Sequence, residues 1–218
     1  MRIENIIFDL DGTLVDSLPG IEYAAKSAIH SVLAESLSVV LRPFVGPPIR
    51  EIFRKIFPEI EGNKLDTIVK EFRRIYDSTG WQKTVLFDGV KDALCQLKNA
   101  KIKSYVVTSK PKIPTWKILN QLQIADFFTD VISPDIVNPS FPSKSDGILY
   151  LINKFNLDNS KTLMVGDTQE DAEAANICGI PFAKVSYGYG CVSVDFKYFV
   201  DFKVNNINEL LNIISQEN

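Results

Sequence analysis

Three short apolar runs, each ending in residues that carry an acid or a hydroxyl, constrain this chain more than any other feature. Ile3 to Phe8 leads into Asp9-Leu10-Asp11-Gly12, Ser104-Tyr105-Val106-Val107 into Thr108-Ser109, and Thr162-Leu163-Met164-Val165 into Gly166-Asp167. Continuous apolar runs of this length, closed by polar residues, read as strands buried on both faces, as in parallel sheets. Phe127 to Ile132 and Pro181 to Val185 read as two more strands. Helical periodicity lies between them: Ile148, Leu151, Ile152 and Phe155 share one helix face. Strands alternating with helices imply right-handed βαβ units, an α/β protein with a Rossmann-like parallel sheet.

One interval breaks the alternation. From about Leu18 to Lys83 no strand pattern is convincing. Ile21, Ala24, Ala25, Ala28, Ile29, Val32 and Leu33 mark a long amphipathic helix. Leu65, Ile68, Val69, Phe72 and Ile75 mark another, with a shorter helix around Pro48 to Phe57. The reading is a helical cap, residues 18–83, inserted into an α/β core made of residues 1–17 and 84–218. The chain is expected to leave the core near Asp16-Ser17 and to return between Thr84 and Gly89. Ser133 to Ser143, with its prolines, is expected to be a loop.

Composition narrows the function classes. The 218 residues are 45% hydrophobic and 23% charged, ordinary for a soluble globular chain, and the net charge is -3. No long Lys/Arg run offsets that charge, so nucleic acid is not an expected partner. The N-terminal segment lacks a signal-peptide hydrophobic region and no apolar run reaches bilayer length, so a cytoplasmic protein with no membrane partner is expected, as a monomer or homodimer. The three cysteines, Cys95, Cys178 and Cys191, form no CxxC pair, which argues against a disulfide framework or a zinc site. His30, the one histidine, sits in a helical pattern with no nucleophile elbow elsewhere, against a Ser-His-Asp hydrolase.

A parallel sheet gathers the carboxyl ends of its strands along one edge, where ligands bind. If the three runs are neighbours, Asp9, Asp11, Thr108, Ser109 and Asp167 converge there. Carboxylates held together repel: at 4 Å and an effective dielectric near 20, each pair costs about 4 kcal/mol. A cation is then required, and Mg²⁺, which prefers oxygen ligands, is the expected cofactor. Carboxylates, Mg²⁺, hydroxyls and amide donors together suit phosphate. In Asp9-Leu10-Asp11 the two acids point to the same side of an extended segment while Leu10 turns to the core. One carboxylate can attack phosphorus, and its neighbour can move a proton.

Phe8-Asp9-Leu10-Asp11-Gly12-Thr13-Leu14-Val15-Asp16-Ser17 resembles the first signature of the haloacid-dehalogenase-like phosphatases. Val106-Val107-Thr108-Ser109-Lys110-Pro111 is similar to the second, and Val165-Gly166-Asp167-Thr168-Gln169-Glu170-Asp171 to the fourth. The resemblance covers essentially the whole chain, helical insert included. It implies Asp9 as nucleophile and magnesium ligand, and Asp11 as general acid/base that also holds the ion through its backbone carbonyl. It further implies Thr108 and the Ser109 amide as phosphoryl binders, Asp167 as a metal ligand, and Asp171 as the residue that orients a metal-bound water. Thr168-Gln169-Glu170-Asp171 is equally a helix-start signature in which Asp171 caps backbone amides. The family's bridging lysine falls on Lys144, although Ser145 follows it where proline is frequent.

The second acid, Asp11, favours phosphatase over dehalogenase. A sugar-phosphate mutase stays open, because the cap decides what accepts the phosphoryl group. A phosphoryl-accepting receiver or a non-catalytic binding protein is the alternative of another class. The insert resembles the cap of the phosphoglycolate-phosphatase branch in Val45-Gly46-Pro47-Pro48-Ile49-Arg50. Tyr187-Gly188-Tyr189-Gly190 resembles that branch's segment after the last core strand. Arg50 is a candidate contact to a substrate carboxylate or phosphate. The substrate implied is a small phosphorylated metabolite, with 2-phosphoglycolate named first.

Overall fold

The structure is a computed structural model that describes residues 2–190 and 197–215; Cys191 lies outside the described residues. The chain begins with strand β1, Asn5–Phe8, and a very short β2, Val15–Asp16. Helices α1 (Leu18–Leu33), α2 (Ile49–Ile56) and α3 (Gly62–Ser78) follow, and then β3, Val85–Leu86. After these come α4 (Val90–Asn99), β4 (Lys103–Val107), α5 (Lys112–Gln121), β5 (Phe128–Ile132) and α6 (Lys144–Phe155). The chain continues through β6 (Thr162–Gly166), α7 (Gln169–Cys178), β7 (Phe182–Val185), β8 (Phe202–Val204) and α8 (Glu209–Ser215).

The main sheet has the order β5-β4-β1-β6-β7-β8, and every pairing in it is parallel. The strand order reverses at β1, which lies between β4 and β6. That reversal opens a crevice beyond the carboxyl end of β1, and the expected convergence of the three runs follows from it. Side chains alternate across the sheet as the pleat requires. Ile6, Phe8, Val106, Leu163 and Val165 pack on the side that holds Leu94, Leu97, Ile118 and Leu210. Ile7, Tyr105, Val107 and Met164 pack on the other, with Ile148, Leu151, Ala172 and Ala175. Both faces are covered, which is why these strands are apolar throughout.

Between β2 and β3 the chain forms α1, α2 and α3 with a separate apolar cluster. Ala24, Ala25, Ala28 and Ile29 of α1 meet Leu65, Ile68, Phe72 and Ile75 of α3, with Phe53 of α2. The small alanines bring the α1 backbone close to α3. At the base, α1 and the turn before β3 cross at Gly20 and Gly80. A Cβ on Gly20 would lie 2.2 Å from the Gly80 carbonyl oxygen, so only glycine fits.

The structure differs from expectation in three places. The exit and return segments, expected as loops, pair as antiparallel β2 and β3, with Val15 opposite Leu86 and Asp16 opposite Val85. Two residues are too few for a period-2 pattern to show. The strand at residues 202–204 and helix α8 were not anticipated, so the Tyr187–Gly190 segment follows β7, and β7 is not the last strand of the sheet. Phe202-Lys203-Val204 is short, and at the edge of the sheet it lacks the continuous apolar run that marks the central strands. Among the described residues, no helix is long and apolar enough to cross a membrane.

Candidate functional site

Asp9 continues the β1 register for one residue, its N–H donating to Val165 O at 2.9 Å. The chain then turns tightly, Leu14 N and Val15 N both donating to Leu10 O at 3.0 Å. Leu10 is fully buried in the core, so Asp9 and Asp11 turn away from it together. Gly12 makes this turn with φ +92, and a Cβ there would lie 2.4 Å from Asp167 Oδ2. The carboxyl ends of β1 and β6 therefore press against each other with no side chain between them.

Asp9, Asp167 and Asp171 are buried, and one carboxylate oxygen from each lies within 4.8 Å of the others. Lys144, first residue of α6, reaches them from the far side of the crevice. Its Nζ donates to Asp9 Oδ1 at 2.9 Å and to Asp171 Oδ1 at 2.5 Å. Burial pushes the Lys144 ammonium down, but Asp171 and Asp9 more than offset this and hold it well above the usual lysine range. Burial raises the Asp9 carboxyl well above the usual carboxylate range; Lys144 opposes that shift, and Asp171 and Asp167 add to it. Burial, and then Asp171, push Asp167 up to about 7, against the N–H groups of Gly190 and Tyr189. Ionising all three buried carboxylates against one buried ammonium would leave two negative charges unmatched, which is why burial and mutual repulsion favour the protonated forms of Asp9 and Asp167. The donor set is all oxygen, and the cluster could hold a divalent metal ion.

Asp171 makes the capping contacts that its sequence context offers, and it also faces Lys144. Its Oδ2 accepts from Thr168 N at 2.9 Å and Thr168 Oγ1 at 2.7 Å, closing a capping box on α7, while its Oδ1 faces Lys144. Thr108 is buried at the end of β4, where its Oγ1 accepts from Lys110 N at 3.1 Å. Ser109 Oγ donates to Glu170 Oε1 at 2.9 Å. Thr108, Ser109, Lys144 and Glu170 line one side of a cavity of about 310 Å³, and Pro47, Pro48 and Glu51 face them from the helical segment. Arg50 is not among these residues. It points across to α3 and pairs with Asp66, while its neighbour Glu51 faces the cavity.

Several residues of the site were given no role from the sequence. Lys110 Nζ lies 2.8 Å from Asp11 Oδ2 and donates to Tyr76 Oη at 3.0 Å. Its place directly after Thr108-Ser109 was the available signal. Tyr189 N and Gly190 N donate to Asp167 Oδ2 at 2.7 and 3.0 Å. Tyr189 Oη accepts from Ser17 N and Leu18 N at 2.7 and 3.1 Å and donates to Asp16 Oδ1 at 2.8 Å, which ties the exit segment to the core. Arg42 donates to the carbonyls of Tyr187 and Gly188 at 3.2 Å, and its guanidinium lies over the Tyr189 ring. His30 is exposed near the end of α1, and Cys95 is exposed while Cys178 is buried.

Comparison with known proteins bears on this geometry. A family model described as haloacid dehalogenase-like hydrolase matches residues 6–185. The chain is 31% identical to a phosphoglycolate phosphatase of Vibrio cholerae serotype O1, over 97% of this chain and 97% of that one. It is 32% identical to the tyrosine-protein kinase PtkA of Mycobacterium tuberculosis, over 85% of this chain and 62% of that one. Among solved structures, a protein from Clostridium acetobutylicum described as a predicted phosphatase superposes with a TM-score of 0.88 and 25% identity. That match covers 99% of this chain and 100% of the other.

Proposed function

This chain belongs to the haloacid dehalogenase-like hydrolases and is a phosphoric monoester hydrolase, and we propose that it cleaves a small phosphate monoester through a phosphoryl group held on Asp9. The observation that carries this reading is the meeting of Asp9, Asp167 and Asp171 with Lys144, which itself lines the cavity. Residues 18–83 act as the cap, and residues 1–17 and 84–218 as the catalytic core.

In the proposed reaction an Asp9 carboxylate oxygen attacks phosphorus, and the bond from phosphorus to the ester oxygen breaks. Asp11 gives its proton to the departing alkoxide. A water then attacks the phosphorus of the aspartyl-phosphate, Asp11 accepts the water's proton, and inorganic phosphate leaves with Asp9 regenerated. Lys144 bridges Asp9 and the phosphoryl oxygens, and Thr108 with the Ser109 amide holds those oxygens as charge develops on them. Asp9, Asp167 and the Asp11 carbonyl would hold Mg²⁺, with Asp171 orienting one of its waters. The ion, when bound, neutralises charge on the transferring group and on the crowded carboxylates.

The names of relatives make 2-phosphoglycolate the first substrate to try. A panel of phosphorylated metabolites, assayed by phosphate release with Mg²⁺ and with EDTA, tests the reading. We expect turnover that EDTA abolishes and that Asp9→Asn lowers by about 10³-fold or more with the fold intact. Asp9→Asn retaining substantial activity would remove Asp9 as nucleophile.

A further inference from the structure

Lys110 stands where three parts of the molecule meet. It follows β4, its Nζ lies 2.8 Å from Asp11 Oδ2 in the loop after β1, and it donates at 3.0 Å to Tyr76 Oη on α3. The ammonium also sits over the Tyr76 ring, 4.9 Å from its centroid. The Lys110 side chain is 8% exposed and that of Asp11 16%, so water screens this pair weakly. Asp11 Oδ1, the other oxygen, is buried and has no hydrogen-bond partner. The carboxylate is therefore clamped at one oxygen and left without a partner at the other.

Tyr76 is held as firmly as the pair it supports. It is 5% exposed, stacks on Phe72 with centroids 5.5 Å apart, and lies against the Gly20–Gly80 crossing, where a Cβ on Gly80 would meet Tyr76 Cδ2 at 2.9 Å. Burial alone would push the Lys110 ammonium down, but Asp11 and Tyr76 outweigh it and hold it above the usual lysine range. A charged lysine at this position serves Asp11 rather than Asp9, which has Lys144.

We infer that Lys110 is a positioning residue for Asp11, braced by Tyr76 of the cap. It fixes one Asp11 oxygen so that the free Oδ1 faces the ester oxygen during proton transfer. The cap thereby contributes to the proton chemistry as well as to enclosing the substrate. The inference rests on the reading of Asp11 as acid/base given above. A rotatable carboxylate would reach the right geometry only part of the time, and misplacement by about 1 Å is enough to slow proton transfer.

The test compares two leaving groups. p-Nitrophenyl phosphate releases a phenolate that needs little protonation, whereas the alkyl ester turned over fastest in the metabolite panel releases an alkoxide that needs a proton. Lys110→Met should lower kcat for the alkyl ester about 10-fold or more while changing p-nitrophenyl phosphate by less than about 3-fold, with KM steady for both. Lys110→Arg should recover part of the loss. Tyr76→Phe, which removes only a hydroxyl, should show the same leaving-group dependence more weakly, and it carries the test if Lys110→Met folds poorly. Added to Asp11→Asn, Lys110→Met should have little further effect.

Equal losses on both esters, or a rise in KM without loss of kcat, would overturn the inference while Asp11→Asn keeps its leaving-group dependence. Should Asp11→Asn itself slow both esters equally, the acid/base reading fails, and the role inferred for Lys110 falls with it.

Discussion

Replacing Lys144 by methionine keeps a long flexible stem and deletes the charge between two buried acids. Lys144 Nζ is 2.9 Å from Asp9 Oδ1 and 2.5 Å from Asp171 Oδ1, with side-chain exposures of 4% for the lysine, 6% for Asp9 and 0% for Asp171. Removing one member of such a buried pair leaves uncompensated charge and costs about 3–5 kcal/mol. For a domain of this size each kcal/mol moves Tm by roughly 2–4 °C. Lys144→Met in EDTA should therefore melt about 6–20 °C below the parent by scanning calorimetry. A divalent cation supplies part of the missing positive charge, so saturating Mg²⁺ should raise the variant's Tm by more than the parent's. Binding at 100 times Kd contributes about 2.7 kcal/mol. Catalysis should not return, because a bound ion does not take the lysine's place between Asp9 and the phosphoryl group. A variant that melted within about 2 °C of the parent in EDTA would refute the charge argument. A deficit that Mg²⁺ left unchanged would do the same.

The metal-free protein should also lose stability as pH rises. The folded Asp167 carboxyl is raised to about 7 from 3.8, by burial and then by Asp171, so the folded state keeps a proton that the unfolded chain has released between those values. The part of the stability that comes from Asp167 then falls from about pH 4 to about pH 7, and Asp9, raised in the same direction, adds to the loss. In EDTA, Tm should be lower at pH 8 than at pH 5.5, and Mg²⁺ should raise it more at pH 8; equal gains at both would contradict the shift. Gly188→Ala places a Cβ 2.3 Å from Asp167 Cβ and 2.4 Å from the Gly12 carbonyl oxygen. It should destabilise the protein by about 1–3 kcal/mol and weaken Mg²⁺ binding measured by titration calorimetry, whereas unchanged affinity would separate Gly188 from the acidic cluster. Glu51 and Glu170 line the cavity, whose lining lysine, Lys144, is already paired. Glu51→Gln should raise kcat/KM for 2-phosphoglycolate about 2–5-fold, the value of one partly screened charge, and leave esters of neutral alcohols unchanged.

Much of this molecule is legible in the primary chain because local chemistry and buried pattern agree there. The central strands are covered on both faces, so their runs are uniformly apolar and easily read; β8, at the sheet edge, is not. The α1 and α3 stripes are visible because each helix buries one face against the other. Asp9, Asp167, Asp171 and Lys144 come together at the carboxyl ends of the strands. Arg50 and Glu51 are adjacent on α2, and nothing local distinguishes which of them faces the cavity. The turn at Pro47-Pro48 and the packing of α2 on α3 set the exposed Glu51 at the edge of the cavity and leave Arg50 to Asp66.

The amino-acid sequence by itself determined the parallel α/β core, the helical insert and the chemical character of the strand ends, because those depend on periodicity and on residue type. Only the tertiary structure decided which charges became partners. Lys110 went to Asp11 and Tyr76, Lys144 to Asp171 in addition to the Asp9 that the resemblance implies for it, and the amides of Tyr189 and Gly190 to Asp167. An ion pair is set by distances of a few ångströms between residues that, like Lys144 and Asp9, lie 135 positions apart in the chain, and no local pattern encodes such a distance.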